Sequence, residues 1–186
     1  PFVLAAALSG IPSAVFEANS VPGMTNRILA KFAKKVFVTF EGAGDRIGRR
    51  DAVVTGNPVR ASILAVSRAE YVVPGRRVLV LGGSQGSRFL NQNMPQVLGR
   101  LAAQVEGLQV RHQCGLGNTD AVSAQYRLLG VDAEATDYIH DMAGAYRWAD
   151  FIVCRSGAGT VSEVSVVGLP ALYVPFAAAA DENGTY

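Results

Sequence analysis

The sequence predicts an α/β protein built on doubly wound parallel sheets with right-handed crossovers. Three observations carry this. Short apolar runs alternate with amphipathic stretches along the whole chain. Val78-Leu79-Val80-Leu81 is continuously apolar, the pattern of a strand buried on both faces of a parallel sheet. Small-residue loops, Gly82–Gly86 and Ser156–Gly159, each follow such a run and precede a helical pattern. In sheets of this kind, ligands bind beyond the carboxyl ends of the strands.

In order along the chain, residues 1–9 read as helix and Ala14–Phe16 as a short strand. Met24, Ile28, Leu29 and Phe32 have helical spacing within Gly23–Ala33. Lys35–Phe40 reads as strand, the Gly-rich and charged stretch Glu41–Arg50 as loop, and Ala52–Thr55 as strand. Gly56-Asn57-Pro58-Val59-Arg60 is a turn signal. A domain boundary is expected there, giving residues 1–57 and 58–186. The second part opens with a helix at Ala61–Val66 and a polar linker to Gly75. Strands follow at Arg77–Leu81, Leu108–Gln113, Ala133–Thr136, Phe151–Cys154 and Ala171–Val174. Helices are expected at Ser87–Val105, Thr119–Leu129, Met142–Trp148 and Gly159–Val167.

With 49% hydrophobic and 17% charged residues, the chain has the composition of a globular protein with a real core. A formal net charge of only +2 argues against a nucleic-acid binder working by phosphate neutralisation. Cys114 and Cys154 fit no metal spacing and read as reduced thiols near the core. No apolar run approaches the roughly 20 residues of a membrane span. Pro1–Leu8 lacks the basic start of a signal peptide and reads as the body of a helix. Both ends read as cut from a longer protein.

Two loops carry the chemistry. Gly82-Gly83-Ser84-Gln85-Gly86 lies between a buried strand and a helix, where glycine allows a tight turn and a helix N-terminus attracts anions. It is neither a P-loop nor a full dinucleotide fingerprint, and a plain strand-to-helix turn is the alternative. Arg155-Ser156-Gly157-Ala158-Gly159-Thr160 repeats the arrangement, and two such loops on one crevice suit a diphosphate. Glu163 can accept two hydrogen bonds from a ribose diol. Against that stands a capping role for Ser156 or Thr160, with Glu163 as a first-turn dipole partner. Asn19 can bond a sugar hydroxyl or serve as a helix N-cap. Arg60 can offer its fork to a phosphate or base, or lie on the surface after a turn. His112 reads as a satisfied structural histidine. His140 and Asp141 are neighbours on a loop and are not expected to face one another. The sequence holds no Ser/His/Asp set and no metal-ligand cluster.

These residues carry a resemblance. Asn19-Ser-Val-Pro-Gly-Met-Thr-Asn-Arg27, Gly56–Arg60, Gly82–Gly86, Leu90-Asn-Gln92, Asp141-Met142, Ala149–Gly157, Thr160-Val-Ser-Glu163 and Gly168-Leu-Pro-Ala171 occur in order over nearly the whole chain. Together they resemble the bacterial UDP-N-acetylglucosamine:lipid-I N-acetylglucosaminyltransferases of peptidoglycan synthesis. The resemblance implies a GT-B fold of two Rossmann-like domains, both incomplete here. Residues 1–57 would be the tail of the acceptor-side domain and 58–186 the truncated UDP-sugar-binding domain. Gly83, Ser84 and Gln85 would meet the diphosphate, with Ala158, Gly159 and Thr160 doing so from the other loop. Glu163 would hold the ribose, Ile139 would meet uracil through its backbone, Arg60 would lie close to the nucleotide, and Asn19 would reach toward the donor sugar.

The implied partners are UDP-GlcNAc, a lipid-linked muramyl-pentapeptide acceptor and, through the parent's N-terminal domain, the cytoplasmic face of the plasma membrane. No metal, cofactor or nucleic acid is implied. The parent would be an inverting hexosyltransferase whose base lies before residue 1, and the present chain alone is expected to be inactive. There are departures from the family pattern. Phe16 stands where the family usually has His, Ala18 where it often has Gln, and Ala177-Ala-Ala-Ala-Asp-Glu-Asn-Gly184 replaces a sugar-reading loop carrying His and Gln. A degenerate UDP-sugar-binding module, or a GT-B transferase with another donor sugar, is therefore the alternative.

Overall fold

A computed structural model describes residues 2–66, 73 and 75–175. The expected polar linker lies mostly, and the 177–184 loop entirely, outside the described residues. The chain divides into two compact units, Pro1–Pro58 and Val59–Tyr186.

The first unit contains α1 (Phe2–Leu8), β1 (Ala14–Glu17), α2 (Met24–Leu29), β2 (Lys35–Val38), α3 (Ala43–Ile47) and β3 (Val53–Val54). Its three strands form a parallel sheet in the order β1-β2-β3. Val15, Val36 and Val38 pack with Ala30, Ala33, Ala43 and Ile47 in its core. The helix α3 corrects the loop expected over 41–50. Gly42 and Gly48 both take left-handed backbone, φ 78° and 82°, and so bracket a helix instead of dissolving one. Between them Ala43 and Ile47, four residues apart, fall on one buried face.

The second unit contains α4 (Ala61–Leu64), β4 (Arg77–Leu81), α5 (Arg88–Ala102), β5 (Gln109–Gln113), α6 (Thr119–Leu128), β6 (Asp132–Thr136), α7 (Met142–Trp148), β7 (Phe151–Arg155), α8 (Ala158–Val167) and β8 (Ala171–Val174). The five strands are parallel, in the order β6-β5-β4-β7-β8. β4 is central because its side chains serve both faces. Leu79 and Leu81 enter a core with Ile63, Tyr146, Ile152 and Val164. Val78 and Val80 enter the opposite core with Leu90, Val110 and Tyr126. Burying four apolar side chains at about 1.5–3 kcal/mol each makes this strand the anchor of the unit. At its foot Asp150, almost fully buried, accepts from the Arg76 and Arg77 amides at 3.0 Å and from the Arg77 guanidinium at 2.6 Å.

The chain winds outward from β4 through β5 to β6, then returns to place β7 and β8 on the other side. The order reverses between β4 and β7, which is where open α/β sheets form their ligand crevice.

Candidate functional site

Leu81 and Cys154 are opposite one another in the β4–β7 ladder. The loops that follow these two strands therefore leave the sheet side by side. The 82–86 loop is seated on the turn after β5. Gln113 donates to the Gly83 carbonyl at 2.9 Å, and Asn91 donates to the Cys114 carbonyl at 2.8 Å. A Cβ on Gly86 would strike the Cys114 carbonyl, and one on Gly115 would sit 2.5 Å from the Gln85 oxygen. Gly83 has φ 85° with open space around it. Gly83, Ser84 and Gln85 are all exposed at the crest of this loop. The sequence places a free helix N-terminus here, but the Ser87 hydroxyl caps α5 by accepting from the Leu90 amide at 3.3 Å. The uncovered part of the junction is thus the turn Gly83–Gln85, ahead of the helix.

At the second junction the N-cap of α8 is Gly157, which makes no side-chain cap bond. The capping role weighed for Ser156 or Thr160 is not the one observed. Ala158, Gly159 and Thr160 form the first turn, at the positive end of the helix dipole.

Glu163 lies beyond that first turn, which contains no acidic residue, so the dipole-partner alternative falls away. Its carboxylate is held by two residues. Oε2 accepts from the Tyr146 hydroxyl at 2.9 Å, and Oε1 accepts from Arg60 Nη2 at 3.1 Å and Nε at 3.3 Å. Arg60 is therefore an ion-pair partner and not an isolated surface arginine, although 54% of its side chain is exposed against 18% for Glu163. Burial, and then the Glu163 charge beside it, push the Tyr146 phenol well above its ordinary ionisation range, so it remains a donor.

Ile139, on the loop after β6, lines a cavity of about 330 Å³ with Arg111, Thr136, Tyr138 and His140. Asp141 turns away from His140 to cap α7 at the Gly144 amide, 2.8 Å, while His140 meets the edge of the Tyr138 ring. His112 is buried and only half satisfied. Nδ1 lies 3.0 Å from the Tyr126 hydroxyl, Nε2 has no partner, and burial lowers its pKa to about 4. Both cysteines are free and buried, and burial pushes the Cys154 thiol up to about 12.

Asn19 belongs to the first unit. It is not the cap of α2, a position held by Gly23. Its amide and side chain donate to Glu17 Oε1 at 2.8 and 3.0 Å, while Glu17 Oε2 accepts from the Gly23 amide and Asn26. Burial opposes ionisation of Glu17, but these donors outweigh it and hold the carboxyl below the usual range. Among the described residues no group of His, Cys, Asp and Glu is arranged to hold a metal ion. No described helix is long and apolar enough to cross a membrane.

Tyr146, Gln113 and Gly115 escaped the sequence reading. Only Gly115 left a signal, as a glycine two residues past a buried strand.

The sequence pattern of the glycosyltransferase family 28 C-terminal domain matches residues 77–186, and that of the family's N-terminal domain matches residues 1–38. The chain belongs to glycosyltransferase family 28. Among relatives of this family 28 chain is the UDP-N-acetylglucosamine–N-acetylmuramyl-(pentapeptide) pyrophosphoryl-undecaprenol N-acetylglucosamine transferase of Vibrio vulnificus. It is 48% identical over 181 residues, 95% of this chain and 49% of that protein. The protein of the same name from Aeromonas hydrophila is 47% identical over 191 residues, covering 100% of this chain and 50% of its own. The crystal structure of Acinetobacter baumannii MurG superposes with a TM-score of 0.72 at 33% identity, over 96% of this chain and 50% of that one. A putative UDP-N-acetylglucosamine 2-epimerase of Listeria monocytogenes shares the fold at 14% identity, TM-score 0.66, over 92% of this chain and 52% of that one. The parallel sheets flanked by helices agree with the GT-B expectation. The chain spans about half the length of the curated relatives it matches.

Proposed function

We propose that this chain is the donor-binding portion, with part of the acceptor-side portion, of an inverting glycosyltransferase. The transferase moves GlcNAc from UDP-GlcNAc to a lipid-linked muramyl-pentapeptide acceptor. Residues 58–186 take the donor and residues 1–57 belong to the acceptor side, with the whole protein working peripherally at the cytoplasmic face of the membrane.

One observation carries this reading. Two strand–loop–helix junctions leave the switch point of a parallel sheet side by side, and an anchored carboxylate, Glu163, stands on the helix of the second. In the reaction the acceptor hydroxyl attacks C1 of GlcNAc from the face opposite UDP. The bond from C1 to the β-phosphate oxygen breaks, the proton leaves the attacking oxygen to a base, and negative charge gathers on the departing diphosphate. Groups aimed at that charge lower the barrier. The Gly83–Gln85 turn and the first turn of α8 at Ala158–Thr160 fill this role. Arg60 adds positive charge to the same side of the sheet, Glu163 accepts from the ribose hydroxyls, and the Ile139 backbone faces the base.

Titration calorimetry of this chain with UDP tests the reading. UDP should bind, and Glu163→Ala should weaken it by about 1–3 kcal/mol, the cost of losing hydrogen bonds to a charged group. A folded chain that ignores UDP, or binds it equally well without Glu163, would contradict it.

A further inference from the structure

The two oxygens of Glu163 are not equivalent. Oε1 takes both Arg60 donors, which fills its two lone pairs. Oε2 takes one donor, the Tyr146 hydroxyl, and keeps one lone pair in reserve. Arg60 is more than half exposed. Tyr146 is the opposite: its ring is fully buried in the core beside Leu79, Ile152 and Val164, where close packing restrains it. A glutamate on a helix surface otherwise samples several rotamers, and fixing one of them is what directs an acceptor at a ligand.

We propose that Tyr146 is the positioning residue of the nucleotide's ribose subsite: its buried hydroxyl anchors Oε2 of Glu163 so that the remaining lone pair of that oxygen faces a ribose hydroxyl, while Arg60 closes Oε1 until the ligand arrives. This rests on the donor-binding reading above and deepens it. Selection for a ribonucleotide over a 2′-deoxyribonucleotide then depends on a residue that never touches the nucleotide. The phenol is suited to the task because it stays protonated across the working pH range and has no alternative charge state in which it would release the carboxylate. Tyr146 and Glu163 lie on successive helices, α7 and α8, either side of β7, so the anchor also ties the ribose acceptor to the strand that carries the second phosphate loop.

The test compares UDP with 2′-deoxy-UDP by titration calorimetry on the full chain and two variants. The unaltered chain should prefer UDP by about tenfold or more, the worth of one hydrogen bond to a carboxylate. Tyr146→Phe, which keeps the ring and removes only the hydroxyl, should shrink that preference to about threefold or less while 2′-deoxy-UDP binds within about twofold of its original affinity. Glu163→Asp keeps the charge but draws the carboxylate one methylene back from Tyr146. It should lose the preference in the same way, and it serves should Tyr146→Phe fail to fold. A preference that survives intact in a folded Tyr146→Phe overturns the positioning role alone and leaves Glu163 as the ribose ligand; one that survives in Glu163→Asp overturns both, because the shorter side chain draws the carboxylate away from the ribose as well as from Tyr146. A chain that binds both nucleotides equally overturns the ribose reading and the positioning role together.

Discussion

Asp150 and Glu17 are buried carboxylates that remain charged because donors surround them. Burial acts against each, yet the Arg77 guanidinium and the Arg76 and Arg77 amides lower the Asp150 pKa, and Asn19, Asn26 and Gly23 lower that of Glu17. A carboxyl depressed in the fold stabilises it fully above the unfolded value, about 3.9 for Asp and 4.3 for Glu, and loses that contribution as pH falls through the folded value. Thermal stability should therefore decline below about pH 4, and Asp150→Asn should flatten part of that decline. At neutral pH the same variant should cost about 2 kcal/mol, less than for a fully buried pair because Arg77 faces solvent. Urea denaturation at pH 7 and pH 3.5 measures both effects. Residue partnerships of this kind were the least legible part of the sequence. Glu163 and Arg60 read from the sequence as separate candidates, and nothing in the order of residues says that a side chain 103 positions away completes the other's bonding. Tyr146 was invisible because a tyrosine inside an amphipathic helix reads as core, which it also is.

Elements were far more legible, because they are set by periodicity and flanking residues close in sequence. The apolar run of β4 and the helical spacing of α5 needed no tertiary knowledge. The miss at α3 has a local cause: glycines that terminate a short helix at both ends look, as composition, like a loop. The junction loops separate two uses of glycine. At Gly83 the requirement is conformational, since φ is 85° and the surroundings are open. At Gly86 it is also steric, because a side chain would enter the Cys114 carbonyl. Gly83→Ala should then cost about 1–2 kcal/mol of backbone strain and leave the loop in place. Gly86→Ala should cost more and lift the loop from its seat on the β5 turn. Differential scanning calorimetry with and without UDP distinguishes them: ligand stabilisation should persist in the first and largely vanish in the second.

For the molecule as a whole, the two units have separate cores, with Val15, Val36 and Val38 in one and the β4 residues in the other. A ligand stabilises what it binds, by mass action. Saturating UDP should slow amide hydrogen exchange in the second unit, at β4, β7 and the first turn of α8, and leave β1–β3 unchanged. Protection of β1–β3 by UDP alone would count against confining the nucleotide to the second unit. The two-sheet α/β plan was readable from the sequence because each strand–helix unit announces itself. The crevice was readable only as a class of location, since β4 and β7 become neighbours through the order in which strands are laid down.

The Arg60–Glu163 pair joins the N-cap of α4 to α8, 103 positions further along the chain. Protein synthesis proceeds from residue 60 to residue 163, so the proposed nucleotide site cannot be complete on the ribosome until α8 has emerged. A growing chain stalled after β6 would present Arg60 and the 82–86 loop without the carboxylate or the second loop, and nucleotide would have little to hold. On the donor-binding reading, nucleotide binding has to wait for α8, and a UDP-sugar would act on folding only after β7 and α8 have joined the sheet.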